Sequence, residues 1–141
     1  MTKEEIQELY RKQILPENKA PYHFEKVGSA ISVKAYNPMC GDKYELFIGG
    51  TRGVLDELHF HGIGCAISKA SSSILLRKVE GMSHQDAIRY CQTFLQALDS
   101  SDSSDLSDEE LKILVELKNF EGRVDCIKLS WEALLEELKH G

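Results

Sequence analysis

The sequence predicts an α+β fold, a three-stranded antiparallel sheet packed with helices, on three observations. Apolar residues recur at helical spacing near the start, switch to alternation between residues 31 and 61, and return to helical spacing from Cys65 onward. The alternating runs are joined by short turns rich in Gly, Pro and Asn, which suits a meander of neighbouring strands. A length of 141 residues with 42% hydrophobic and 28% charged content fits one domain, residues 1–141, burying roughly two thirds of its unfolded surface.

The elements follow in order. Thr2 with Glu5 is a capping-box pattern, and Ile6, Leu9, Tyr10 and Ile14 fall on one helical face. Pro16 ends that helix in this reading, and Pro21 keeps the next stretch extended or turned. Ile31, Val33 and Ala35 alternate with Ser32 and Lys34 as a first strand. Asn37-Pro38-Met39-Cys40-Gly41-Asp42 is turn chemistry, and Tyr44, Leu46 and Ile48 alternate as a second strand. After Gly49-Gly50 a third strand runs to about His61, with Leu58 and Phe60 on one face. His59 and His61 then fall on a solvated strand face, the alternative being a spare metal ligand or proton carrier.

Gly62-Ile63-Gly64 reads as a flexible approach to a helix over Ala66 to Val79, in which Lys69 and Ser71-Ser72-Ser73 suit close helix packing. Gly81 stops that helix, and Ser83 with Asp86 starts another whose inner face is Ala87, Ile88, Cys91, Phe94, Leu95 and Leu98. Residues 99–110 are rich in serine and acidic residues and read as a mobile acidic loop. A short helix through Leu111, Leu114, Val115 and Leu117 follows, then a long one through Ile127, Trp131, Leu134, Leu135 and Leu138.

With 17 Lys+Arg against 23 Asp+Glu, the formal net charge is −6. That sign lacks the electrostatic footprint that holds nucleic acid or anionic lipid, so neither is an expected partner. No apolar run approaches the ~20 residues of a membrane span. The polar, acidic start Met1-Thr2-Lys3-Glu4-Glu5 is unlike a secretory signal, and the expectation is a cytoplasmic protein.

The four cysteines, Cys40, Cys65, Cys91 and Cys126, stand far apart with no Cys-x-x-Cys pair. In a cytoplasmic chain they read as thiols, and the spacing excludes a zinc ribbon or a thioredoxin-type motif. Cys91 lies on an apolar helical stripe and reads as core. Cys40 sits in a strand-connecting turn with Asp42, while Cys65 and Cys126 open helices. Two readings fit these three: unrelated loop thiols, or one metal site formed by Cys40, Asp42, Cys65 and Cys126. In the second, helix N-termini at Cys65 and Cys126 favour thiolates, and Arg123 offsets the charge of four anionic ligands. A Cys-His hydrolase on Cys40 or Cys65 finds no supporting local signature.

Three runs carry a family resemblance: Asn37-Pro38-Met39-Cys40-Gly41-Asp42, then Gly62-Ile63-Gly64-Cys65-Ala66-Ile67-Ser68-Lys69-Ala70-Ser71-Ser72-Ser73, then Gly122-Arg123-Val124-Asp125-Cys126-Ile127. In that order they resemble the U-type (NifU N-terminal and IscU-like) iron–sulfur cluster assembly family, across nearly the whole chain. Within it the chain looks most like the SufU branch. IscU-type scaffolds place a histidine before the last cysteine, where this chain has Asp125, and span a shorter distance between the last two motifs. Their chaperone-read Leu-Pro-Pro-Val-Lys motif is replaced here by Asn119-Phe120-Glu121-Gly122-Arg123.

The resemblance implies a SufE/NifU-like fold and a zinc protein that takes sulfur from a SufS-type cysteine desulfurase. It matches Cys40, Asp42, Cys65 and Cys126 to zinc ligands, Cys40 to the sulfur acceptor, and Arg123 to an arginine beside the metal. In such relatives a desulfurase histidine takes a place on the zinc and frees the acceptor cysteine. Downstream partners would be further cluster-assembly proteins or apo-protein acceptors. Two alternatives stay open: a scaffold that builds an iron–sulfur cluster on the same ligands, hence no stand-alone enzyme, and a binding module with structural zinc.

Overall fold

The amino-terminal capping box forms as its residues dictate. Thr2 Oγ1 accepts the Glu5 N–H at 3.1 Å and Glu5 Oε1 accepts the Thr2 N–H at 3.2 Å, starting helix α1 (Lys3–Leu9). The computed structural model describes residues 2–28, 31–39, 41–49, 53–104, 106–118 and 124–140. α1 leads through a π-helical turn (Tyr10–Ile14) into a short helix α2 (Leu15–Lys19). Pro16 therefore does not end the helical path. The wider turn before it shifts the hydrogen-bonding pattern and leaves Pro16 in the first turn of α2, where a missing N–H has no consequence.

Three strands, β1 (Ile31–Tyr36), β2 (Lys43–Gly49) and β3 (Glu57–Ile63), pair antiparallel in the order β1-β2-β3, so the expected α+β architecture holds. The register sets Leu46 opposite both Val33 and Phe60, and Ile48 opposite Leu58, on the face that meets the helices. At the far end Tyr36, Lys43 and Ile63 lie in one row across the sheet.

The other sheet face departs from expectation at His59, which is 7% exposed. The segment before β1 returns over it: Phe24 bridges to Phe60, His23 stacks on His59 with centroids 4.8 Å apart, and Glu25 Oε1 lies 3.3 Å from His59 Nε2. His61 packs against Phe24 at 4.7 Å. Strand alternation records that a residue leaves the helical layer but not what else covers it.

Helix α3 (Ala66–Val79) packs against α2, β3 and α6 (Val124–His140), and α6 in turn packs against α4 (His84–Ser100) and α5 (Glu109–Lys118). Ile74, Leu75, Phe94, Leu98, Ile127 and Trp131 are fully buried, and so is Cys91, in the core as its helical position predicts. The serines of α3 are buried too, and each is satisfied. Ser71 Oγ donates to the Ile127 carbonyl at 2.6 Å and accepts Trp131 Nε1–H at 2.9 Å. Ser72 Oγ meets Ser130 Oγ at 2.5 Å, and Ser73 Oγ donates to Glu17 at 2.6 Å while accepting the Tyr22 N–H at 2.7 Å. Small side chains let α6 approach closely, and the hydroxyls remove the penalty of burying them.

The described residues of the acidic stretch 99–110 are more structured than its composition suggests. Asp99 and Ser100 complete α4, Ser101 caps it in the left-handed region, and Glu109 and Glu110 begin α5. Between them Leu106 is buried, and the Asp108 carboxylate accepts the Glu110 N–H at 3.0 Å and pairs with Lys78 at 2.8 Å. Glu110 pairs with Lys78 and with Arg77, which also holds Glu17. A Ser/Asp-rich window thus hides one apolar anchor and two paired carboxylates.

Burial pushes the carboxyls of Asp108 and Glu110 up, but Lys78 with backbone N–H donors at Asp108, and Arg77 followed by Lys78 at Glu110, hold both below their ordinary values. Carboxylates depressed on folding stabilise the fold above their unfolded pKa, and that contribution fades as pH falls through the lower folded values. Lys78→Gln should therefore cost roughly 1–2 kcal/mol at pH 7. The deficit against the unsubstituted chain should shrink as pH drops below about 4. Denaturant melts at pH 7 and pH 3 check this; a deficit independent of pH would remove the carboxylates from the explanation.

Candidate metal centre

Asp42 stands immediately before β2, held by the turn that connects β1 to β2. Asn37 N–H donates to the Asp42 carbonyl and Gly41 N–H to the Asn37 carbonyl, both at 2.9 Å. Cys65 is the N-cap of α3, its sulfur accepting the Ser68 N–H at 3.4 Å. Cys126 lies in the first turn of α6, brought against α3 by the buried serines. One ligand atom from each of Asp42, Cys65 and Cys126 lies within 4.8 Å of the others. Asp42 and Cys126 are buried and Cys65 is half-buried.

Three of the four sequence-matched ligands therefore meet at one point, from a turn, a helix cap and a second helix. Cys40, and Arg123 beside the site in the motif, lie outside the described residues. The turn residues on either side of Cys40 are described, with Met39 N–H donating to Asn37 Oδ1 at 3.0 Å.

Contacts that motif reading does not convey complete the arrangement. Cys65 N–H donates to Asp42 Oδ1 at 2.9 Å, tying two of the donors together. Gly64, read from sequence as part of a flexible approach, is instead tightly enclosed. A Cβ there would come within 2.3 Å of the Tyr44 hydroxyl, 2.6 Å of Ser68 Oγ and 2.7 Å of Asp42 Oδ1. Gly62 is enclosed as well, its Cβ position 2.1 Å from the Lys43 carbonyl and 2.7 Å from Tyr44 Cα. The available signal was a pair of glycines just ahead of a cysteine, which marks close backbone approach as readily as flexibility.

Burial pushes the Cys65 thiol up, but hydrogen bonding from Ser68 outweighs it and leaves Cys65 below its ordinary value. The Asp42 charge works against that direction, and hydrogen bonding with Cys126 works with it. Tyr44 is driven well above the ordinary phenol value, first by burial and further by the charges of Asp42, Cys65 and Cys126, although Ser68 pulls it down. It stays a protonated hydrogen-bond donor.

The donor set suits a divalent ion that accepts sulfur. Two thiols and a carboxylate match zinc or iron–sulfur chemistry rather than calcium or magnesium. A tetrahedral zinc with Zn–S near ~2.3 Å and Zn–O near ~2.0–2.2 Å sets its donors roughly 3.3–3.8 Å apart. Cys65 Sγ and Asp42 Oδ2 stand 4.0 Å apart, close to that spacing. Acidic groups gathered at a largely buried point gain from a cation among them.

A model of the NifU-like N terminal domain matches residues 3–127, and the chain belongs to that family. It is 32% identical over 129 residues to the zinc-dependent sulfurtransferase SufU of Bacillus subtilis (strain 168), covering 89% of this chain and 86% of that one. It is 30% identical over 142 residues to the iron–sulfur cluster assembly scaffold protein IscU of Streptococcus pyogenes serotype M1, covering 99% and 88%. A crystal structure from Fervidobacterium islandicum AW-1, of a candidate iron–sulfur cluster assembly scaffold protein for the SUF system, superposes with a TM-score of 0.83 at 24% identity, over 94% of this chain and 98% of the other. That last likeness shows the fold. No helix among the described residues is long and apolar enough to cross a membrane.

The enclosure of Gly64 yields a direct test. Gly64→Ala should displace Asp42, Ser68 or Tyr44 and destabilise the fold by roughly 1–3 kcal/mol. Zinc affinity, read by chelator competition, should fall about tenfold or more as Cys65 and Asp42 separate. A variant with unchanged affinity and melting temperature would show that the cradle yields without consequence.

Proposed function

We propose that the protein accepts and carries sulfur in iron–sulfur cluster assembly, as a zinc-dependent partner of a SufS-type cysteine desulfurase acting in the cytoplasm. The supporting observation is the convergence of Asp42, Cys65 and Cys126 at one buried point, with Cys40 two residues from Asp42 in the chain. The SufU relative is named for zinc-dependent sulfur transfer and the IscU relative for cluster assembly, which supports the assignment to this chemistry.

Cys40, Asp42, Cys65 and Cys126 would hold the ion, with the Arg123 guanidinium offsetting their negative charge. Bound zinc would keep its thiolate ligands deprotonated and damp them as nucleophiles. The transfer itself belongs to Cys40. Its thiolate attacks the terminal sulfur of the desulfurase's cysteine persulfide, forming a new S–S bond at Cys40 while the partner's S–S bond breaks. The partner cysteine leaves as a thiolate, so no external oxidant or reductant is consumed. The Cys40 persulfide then passes its terminal sulfur to a later assembly protein or apo-protein acceptor.

The surface at this end of the sheet supports a protein partner. Met39, Ile63 and Tyr36 are 90%, 70% and 58% exposed. Large apolar side chains left in water beside a candidate site suit a surface covered on docking. Ile63→Glu should raise the concentration needed for half-maximal desulfurase stimulation about tenfold, leaving zinc content and melting temperature as they were. Equal stimulation curves would place docking elsewhere.

The role of Cys40 separates the carrier from its alternatives. Cys40→Ala should keep much of its zinc on the remaining donors yet lose all sulfur acceptance and desulfurase stimulation. Cys126→Ser should lose zinc and stability together, because metal binding is partly folding free energy. Metal content, melting temperature and stimulation measured on one preparation of each variant decide the matter. Retained stimulation in Cys40→Ala would remove Cys40 from the mechanism, and iron with sulfide in anaerobically purified protein would turn the reading to a scaffold.

A further inference from the structure

Tyr44 is an unusual side chain to bury at this point. It is 1% exposed on the central strand, two residues after Asp42, with Ala35 opposite on one side and Gly62 on the other. Its ring packs against Phe60 at 5.9 Å, and both Gly62 and Gly64 are needed to make room for it. Phenylalanine would fill the same apolar space without burying a hydroxyl, so the oxygen calls for an explanation of its own.

The hydrogen bonds supply one. Tyr44 and Ser68 bring their hydroxyl oxygens to 2.8 Å, and Ser68 Oγ donates to the Cys65 carbonyl at 3.1 Å. A serine hydroxyl carries one hydrogen, so the hydrogen between the two oxygens belongs to Tyr44. The chain therefore runs from the Tyr44 O–H to Ser68 Oγ and from the Ser68 O–H to the Cys65 carbonyl. The Ser68 N–H meets the Cys65 sulfur at 3.4 Å, and the Cys65 N–H meets Asp42 Oδ1 at 2.9 Å.

We propose that Tyr44 is a positioning residue of the metal centre: through Ser68 its hydroxyl locks the first turn of α3 onto β2 and fixes Cys65 against Asp42. The inference rests on the zinc centre proposed above and adds a residue that none of the sequence motifs contains. Tyr44 touches neither sulfur nor metal; it acts by holding the backbone that carries a ligand. Groups in that position typically change metal affinity 10–100-fold when removed.

The test uses the full zinc-loaded chain, with Tyr44→Phe to remove only the oxygen and Ser68→Ala to cut the relay one step nearer. Zinc affinity by chelator competition should fall roughly 10–100-fold in each. The double variant should be little worse than the singles, because both break one chain of bonds. With cobalt in place of zinc, the thiolate-to-cobalt and ligand-field bands should shift in Tyr44→Phe. They should stay fixed in Phe60→Leu, which loosens packing around the same ring and leaves the hydroxyl in place. Wild-type affinity and an unshifted cobalt spectrum in Tyr44→Phe would overturn the role of Tyr44 while leaving the metal centre standing. Additive losses in the double variant would also overturn it, and a parent chain that binds no zinc would overturn both readings together.

Discussion

The structure depends on the buried hydroxyls of helix α3. Ser68, Ser71, Ser72 and Ser73 lie along a helix with almost no solvent contact, where an unpaired hydroxyl would be destabilising. Their partners therefore constrain the surrounding structure. Ser71 meets the carbonyl beside Cys126 and the Trp131 indole, Ser72 meets Ser130, and Ser73 meets the segment before the sheet. Apolar contact alone tolerates sliding of one helix along another, whereas directional bonds of this kind hold α6 in one register on α3. That register is what places Cys126 beside Cys65.

The site follows the same logic on a smaller scale. Two donors come from the ends of elements and the third from the first turn of α6, so each depends on how its parent element is held. β2 is the central strand and is paired on both sides, which makes Asp42 and Tyr44 the firmest part of the frame. Cys65 is referred to that frame by its N–H on Asp42 and by the Tyr44–Ser68 bond. Met39 and Ile63 lie at the same end and are open to solvent, which leaves room for a partner without disturbing the frame.

Much of this was legible in the chain. Period and capping residues located the elements, since Thr2, Glu5, Ser83 and Asp86 act within one turn of their own position. The order of the motifs anticipated that Asp42, Cys65 and Cys126 lie together, because the resemblance carries a spatial arrangement with it; Cys40 lies outside the described residues. What escaped depends on neighbours distant in sequence. The cover over His59 comes from residues before the sheet, and the role of Leu106 was lost in a Ser/Asp-rich window. Gly64 and Tyr44 matter only because the turn into α3 passes directly over the start of β2. Pro16 was misread because its effect depends on the width of the helical turn before it.

The spread of the three donors along the chain has a consequence for biogenesis. Asp42 and Cys65 belong to the sheet and the helix that follows it, but Cys126 arrives only with the last helix. A ribosome-bound chain has therefore made Asp42 and Cys65 long before Cys126 exists, and at about 5–20 residues per second that interval lasts several seconds. On the proposed ligand set the half-made chain lacks the one thiolate that the last helix carries, so the zinc centre would stay incomplete until then. If the proposed zinc centre forms, its metal content would record whether the final helix had been made and docked.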